Sequence, residues 1–295
     1  MYADPDFGPL DFGRLDDSMS LYMIVYREDW ARARNFFRSN LWNYDLRRAV
    51  LFRNEEGRTI LTMILLPKSS VRRRISIQYI PDDIAVRIIE FGGRDLAMTR
   101  HGPHNQSPLH YACTNDDPSR RVVQALITAG GMDVVFATDI NGMTALHYVC
   151  NGFQHASDEV VLTLLRAGGK ELVMAQDVNE RTALHYACLH ISSSTVLVKY
   201  LIYYGALDLV LMTDIAQMTA LHLACSLKLP SIEVIRALIE KGGIYLFRMQ
   251  DRMDRTVLDF VDMNSTFRVV TLLLRLERHV HNQHLLEELR LESEE

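Results

Sequence analysis

Seven residues recur four times along this chain: Ser107-Pro108-Leu109-His110-Tyr111-Ala112-Cys113, Thr144-Ala145-Leu146-His147-Tyr148-Val149-Cys150, Thr182-Ala183-Leu184-His185-Tyr186-Ala187-Cys188 and Thr219-Ala220-Leu221-His222-Leu223-Ala224-Cys225. Their first residues are 37, 38 and 37 positions apart, and a further step of 37 reaches a decayed copy at Thr256-Val257-Leu258-Asp259-Phe260-Val261. Such a period commits a chain to an array of one supersecondary unit, in which each copy buries its apolar face against its neighbours.

The residues of one period describe that unit. Thr or Ser opening an apolar run is an N-cap, its hydroxyl meeting a free backbone N–H of the first turn. Leu then points inward, and the small Ala-Cys pair lets the next helix approach closely. A second apolar run at helical spacing follows each copy, for example Val122, Val123, Leu126 and Ile127, or Leu197, Val198, Leu201 and Ile202. Each second run ends at a glycine (Gly130, Gly168, Gly205, Gly242), which is expected to take a left-handed C-terminal cap. Nine residues beyond come Asp139, Asp177, Asp214 and Asp251, each in a polar turn five residues before the next Thr.

The T-x-L-H-x-A core of these copies resembles the ankyrin-repeat signature, over about residues 54–275. The resemblance implies an all-α ankyrin-repeat solenoid of helix–loop–helix units joined by hairpin-like turns. It implies a binding module for another macromolecule, with contacts from turn tips and inner helix faces. Three departures stand out. The units are about four residues longer than the usual 33, Pro follows the opening residue only at Pro108, and the usual Ala-Ala pair has become Ala-Cys or Val-Cys.

In chain order, residues 1–17 read as a loose tail and 18–53 as an irregular helical cap with apolar segments at Ser18–Tyr26 and Trp30–Phe37. The repeat domain spans 54–278, with units near 54–101, 102–138, 139–176, 177–213, 214–250 and 251–278, the last a C-terminal cap. Its final helix is expected over about Phe267–Leu276, and 279–295 reads as an acidic tail with a short helix. The first unit places Thr62 where His stands elsewhere and carries an insert around Pro67–Tyr79.

A net charge of −5 and 48% hydrophobic residues suit an ordinary folded protein. No apolar run is long enough to span a bilayer, and the acidic start is unlike a signal peptide. All four cysteines share one place in successive repeats. Packed layers lie roughly 8–10 Å apart, beyond disulfide reach, so reduced thiols and a cytoplasmic or nuclear location are expected.

The chemistry-bearing residues are largely absorbed by the repeat. Each His/Cys pair at i, i+3 belongs to a different layer, so four ligands cannot converge on one zinc ion; no metal or cofactor is expected. The resemblance assigns the His to a structural hydrogen bond between neighbouring turns. Tyr111, Tyr148, Tyr186, Leu223 and Phe260 share one position, and the Leu marks it as packing rather than a base-stacking platform. No phosphate loop, nucleophile elbow or H-E-x-x-H occurs, and the chain reads as a non-enzyme.

Two surfaces remain as candidates. The residue before each opening Thr or Ser varies while its flanks repeat: Arg58, Gln106, Met143, Arg181, Met218 and Arg255. An Arg/Met mixture suits a protein partner, and this column is the expected contact set of a monomeric scaffold or adaptor. The alternative is the basic stretch from Ser18 to Pro81, where twelve Lys/Arg face five acids, with Arg72, Arg73 and Arg74 as its densest run. It would bind nucleic acid or an acidic partner electrostatically.

Overall fold

In the computed structural model, the described residues are 21, 24–25, 29–39, 44–55, 57–65, 81–114, 118–152, 158–189, 194–264 and 267–292. They fall in two compact units, the first comprising residues up to Asn115 together with Ser119–Val134, the second Asp116–Pro118 together with Val135–Glu295. Among the described residues the only extended pairing is three isolated bridges, Arg53–Thr59, His101–Gln106 and Thr213–Thr219. The fold is all-α.

The first unit opens with α1 (Trp30–Ser39) and α2 (Tyr44–Leu51). Ala33 and Phe37 of α1 and Ala49 and Val50 of α2 are buried. Phe37 stacks on Phe91, ring centroids 5.8 Å apart and planes 10° from parallel. Next come α3 (Ile60–Leu65), α4 (Asp82–Ala97), α5 (Pro108–Thr114), α6 (Arg120–Gly130) and the single turn α7 (Met132–Val135). The insert with Arg72, Arg73 and Arg74 lies outside the described residues, as does the 1–17 tail.

The second unit alternates short inner and long outer helices: α8 (Ala145–Asn151), α9 (Asp158–Met174), α10 (Ala183–Cys188), α11 (Thr195–Leu211), α12 (Ala220–Ser226), α13 (Ile232–Gly242), α14 (Tyr245–Arg248), α15 (Val257–Asn264) and α16 (Phe267–Glu292). The inner helices α8, α10 and α12 are buried almost all round, with Leu146, Leu184 and Leu221 at zero exposure. That is why Ala, Leu and Cys recur in all three. Outer helices α6, α11 and α13 start at Ser119, Ser194 and Ser231, whose hydroxyls accept the N–H of Val122, Leu197 and Val234.

The glycine column behaves differently from the sequence expectation. Gly168 and Gly205 remain helical inside α9 and α11. A Cβ there would stand 2.4 Å from the Cβ of Leu172 or Leu209, so these glycines exist for close packing. The reversal falls one residue later: Gly93, Gly131, Gly169, Ala206 and Gly243 take φ of 55°, 64°, 56°, 56° and 57°. The chain then makes another helical turn, which buries Leu96, Val134, Leu172, Leu209 and Leu246. The extra length of these repeats is therefore partly core, not loop.

Ala206, at φ 56° and ψ −148°, is the one alanine among the described residues in a region that essentially only glycine occupies. Such strain costs about 1–3 kcal/mol, more than the roughly 0.5–1 kcal/mol of chain entropy that glycine loses. Ala206→Gly should therefore stabilise the protein by about 1 kcal/mol. A thermal melt checks it, and a lowered midpoint would contradict it.

At the C-terminus α16 runs unbroken from Phe267 to Glu292, where the sequence suggested a stop near Leu276 and a separate short helix. Leu276-Glu277-Arg278-His279 contains neither Gly nor Pro, so nothing ends the helix there.

Candidate interaction surface on the turns

Each turn is built around its aspartate. Asp139 Oδ1 accepts the backbone N–H of Asn141 and Met143 at 2.8 and 2.9 Å. Asp177 does the same for Asn179 and Arg181, Asp214 for Ala216 and Met218, and Asp251 for Met253 and Arg255. A backbone bond from the Asp N–H to the residue before the Thr closes each loop, as from Asp177 to Arg181 at 3.0 Å. Successive turns are then sewn together: Val178 N–H donates to Asn141 O, Ile215 to Asn179 O and Arg252 to Ala216 O, at 2.9, 3.0 and 3.0 Å.

Behind each turn sits the histidine. His147, His185 and His222 accept the backbone N–H of Thr144, Thr182 and Thr219 on Nδ1 at 3.0, 3.1 and 3.2 Å. A backbone N–H can only donate, so Nδ1 must be the bare nitrogen and the proton sits on Nε2. Thr and His together form a capping box in which imidazole replaces the usual Glu. The Nε2–H of His147 reaches Arg181 O at 3.1 Å, and that of His185 reaches Met218 O at 3.3 Å, one repeat further on. At the last regular repeat His222 Nε2 is buried with no hydrogen-bond partner among the described residues. Asp259 then takes over the capping, accepting both Thr256 N–H and Thr256 Oγ1–H. Burial lowers the pKa of His147, His185 and His222, that of His185 to about 4.

The second carboxylate oxygen explains the variable column before the Thr. Tyr148 and Tyr186 donate their hydroxyls to Asp139 and Asp177 Oδ2. Leu223 and Phe260, in the same place, cannot. There Arg181 Nε donates to Asp214 Oδ2 at 3.2 Å, and Arg255 donates Nε and Nη2 to Asp251 Oδ2 at 3.0 and 2.6 Å. Burial pushes the Asp251 carboxyl up, but the Arg255 guanidinium and the backbone N–H groups of Arg255 and Met253 outweigh it and hold the pKa at about 2. Arg255 also lies 4.4 Å over the Phe260 ring.

Thus the residue before each Thr is not the tip. Met143 is packed away at 8% exposure. Arg181 and Arg255 serve buried carboxylates, and Met218 is half-buried. In the first unit Arg58 and Gln106 are also half-buried; Arg58 N–H is held by Asn54 Oδ1 at 2.8 Å, and Gln106 pairs with His101. The true tips lie just after the aspartates. Ile140, Val178, Ile215 and Met253 are 57%, 62%, 41% and 72% exposed. The signal was present as an aliphatic residue after three successive Asp residues.

The other candidates carry little chemistry. Cys113, Cys150, Cys188 and Cys225 are free and buried, and burial pushes the Cys113 and Cys225 thiols up to about 12. Among the described residues no three His, Cys, Asp or Glu side chains gather as a metal site, and no helix is long and apolar enough to cross a membrane. Of the basic stretch, Arg32, Arg34 and Arg47 are ion-paired with Asp29, Asp83 and Asp95.

Comparison with known proteins agrees with this architecture. The sequence matches the family described as ankyrin repeats (3 copies) over residues 155–248, and a single ankyrin repeat over residues 104–135. No curated protein matches it. Among solved structures, the ankyrin repeat domain of Bcl-3, described as a unique member of the IkappaB protein family, superposes with a TM-score of 0.58. It is 21% identical, with 86% of this chain and 96% of that chain covered. At that identity the likeness concerns the fold alone. Together with the capped Thr–His repeats and the sewn turns, these matches show that the chain carries ankyrin repeats at residues 104–135 and 155–248 and has the ankyrin-repeat solenoid fold.

Proposed function

We propose that the chain is a non-catalytic scaffold or adaptor that holds a protein partner on the turn tips of its second compact unit. One observation carries this reading. Ile140, Val178, Ile215 and Met253 are exposed on four successive turns, whereas apolar residues of a monomer are normally scattered singly. Half-buried Arg181, Met218 and Arg255 line the base of that surface, and Arg58 and Gln106 have the same place on the turns of the first unit. Met143 is a packing residue. Ankyrin repeats in general serve protein–protein interaction rather than catalysis, and buried thiols suit a reducing cytoplasmic or nuclear compartment.

Affinity capture with the full chain tests the reading. Ile140→Ser, Val178→Ser and Ile215→Ser together should leave the melt within about 0.5 kcal/mol of wild type while releasing the captured partner. Met143→Ala, Arg181→Ala and Met218→Ala together should instead lower the melt, because they leave a cavity and take the Arg181 donor from buried Asp214 Oδ2. Partner retained by the serine variant but lost when Arg72, Arg73 and Arg74 become Ala would place recognition in the basic insert and overturn the tip assignment.

A further inference from the structure

The backbone bonds between turns fix a register along the exposed stripe. Val178, Ile215 and Arg252 are equivalent, since each N–H donates to the preceding turn, and Ile140 stands in the same place after Asp139. The stripe therefore reads Ile, Val, Ile, Arg, with Met253 beside its last member. Each turn is itself a closed loop two backbone segments wide, as the Asp139-to-Met143 bond shows. Equivalent tips are thus two strand spacings apart, about 9.5 Å, which agrees with the roughly 8–10 Å separation of packed helices.

That pitch selects a partner. Seven residues of α-helix rise about 10.5 Å and return to the same face, so residues i, i+7 and i+14 stay within reach of three successive tips. An extended strand covers the pitch in about three residues, which puts consecutive contacts on opposite faces. Positions i+3 and i+4 of the helix would fall between layers, over Asn141, Asn179 and Ala216, which are polar or small. Charge then sets its direction. Glu180 is exposed two residues beyond Val178, Arg252 is exposed at the fourth position of the stripe, and Asp254 is exposed two residues beyond Arg252, in the place equivalent to Glu180.

Building on the tip reading above, we infer that the partner docks an amphipathic helix along Ile140, Val178, Ile215 and Arg252. Its aliphatic residues recur every seven positions for three contacts, an acidic residue stands seven further on to meet Arg252, and basic residues lie beside the second and fourth contacts to meet Glu180 and Asp254. The helix lies lengthwise along the stack, and its one acidic contact, at the Arg252 end of an aliphatic row, sets one orientation.

Selection from two display libraries against the immobilised full-length chain tests this: helices randomised on one face of a rigid scaffold, and unconstrained linear peptides. The expected result is enrichment of helices with aliphatic residues seven apart. Ile140→Glu, Val178→Glu and Ile215→Glu together, with an unchanged melt, should weaken them by at least about 30-fold. Arg252→Glu should switch the preferred residue at the fourth contact from acidic to basic. Tip-dependent binders arising only from the linear library would overturn the helix and leave the tip surface standing. Binders indifferent to the tip variant, or no enrichment in either library, would overturn both.

Discussion

Leu184→Ala should cost about 2–5 kcal/mol and remove much of the cooperativity of the second unit. Leu184 has no exposed surface and sits on α10, which packs against α8, α11 and α12. Its truncation leaves a hole that α10 alone cannot collapse, because the neighbouring inner helices are pinned by their own Thr–His caps. In a repeat array each layer is stabilised mainly by its neighbours, so a loose α10 weakens the docking of both adjacent layers. Chemical denaturation should show an earlier midpoint and a shallower or split transition. A curve superimposable on wild type would mean that Leu184 is not a core position and that the repeat register is incorrect.

Acid should weaken the protein well before its carboxylates titrate. His185 is neutral in the fold, with a pKa of about 4 set first by burial, against 6.5 for a free imidazole. Between those values the unfolded chain binds a proton that the folded chain refuses, so stability rises with pH across the window. The contribution is complete above about pH 6.5 and lost as pH falls to about 4, roughly 3 kcal/mol for this residue. The physical reason is visible: a proton on Nδ1 would face the Thr182 N–H that Nδ1 now accepts. His147 and His222 are shifted the same way by burial. In the first unit His101 is also lowered to about 4, by burial and then by the nearby Arg53 and Arg58 charges. Denaturation midpoints taken from pH 7.5 to 4.5 should fall steadily from about pH 6.5. A flat profile down to pH 5 would contradict the assignment of these rings as buried and neutral.

The repeat itself was legible because Thr, Leu, His and the small Ala-Cys pair each answer to one packing or capping demand that recurs at every layer. What the sequence concealed were demands met by partners further along the chain. The residue before the Thr varies because it answers to the carboxylate of its own turn or of the next: Arg181 is needed where Leu223 cannot reach Asp214, and Arg255 where Phe260 cannot reach Asp251. Variation there looked like freedom and was compensation. The paired glycines hid a similar division of labour, since spacing alone does not tell a glycine kept for close approach, Gly168, from one kept for positive φ, Gly169. Helix α2 left only Leu46, Ala49 and Val50 as its trace, a pattern too short to separate from the charged residues around it. The tip residues Ile140, Val178 and Ile215 are hidden in the sequence because an aliphatic residue beside a recurrent Asp has the pattern of a core position, whereas all three are exposed.

Hydrogen exchange on the full chain with and without its captured partner locates the docking surface. New protection is expected only at the turns 140–142, 178–180, 215–217 and 252–254, with the outer faces of α9, α11 and α13 unchanged. Protection centred on residues 66–80, or on those outer helix faces, with the turns exchanging as before, would contradict it.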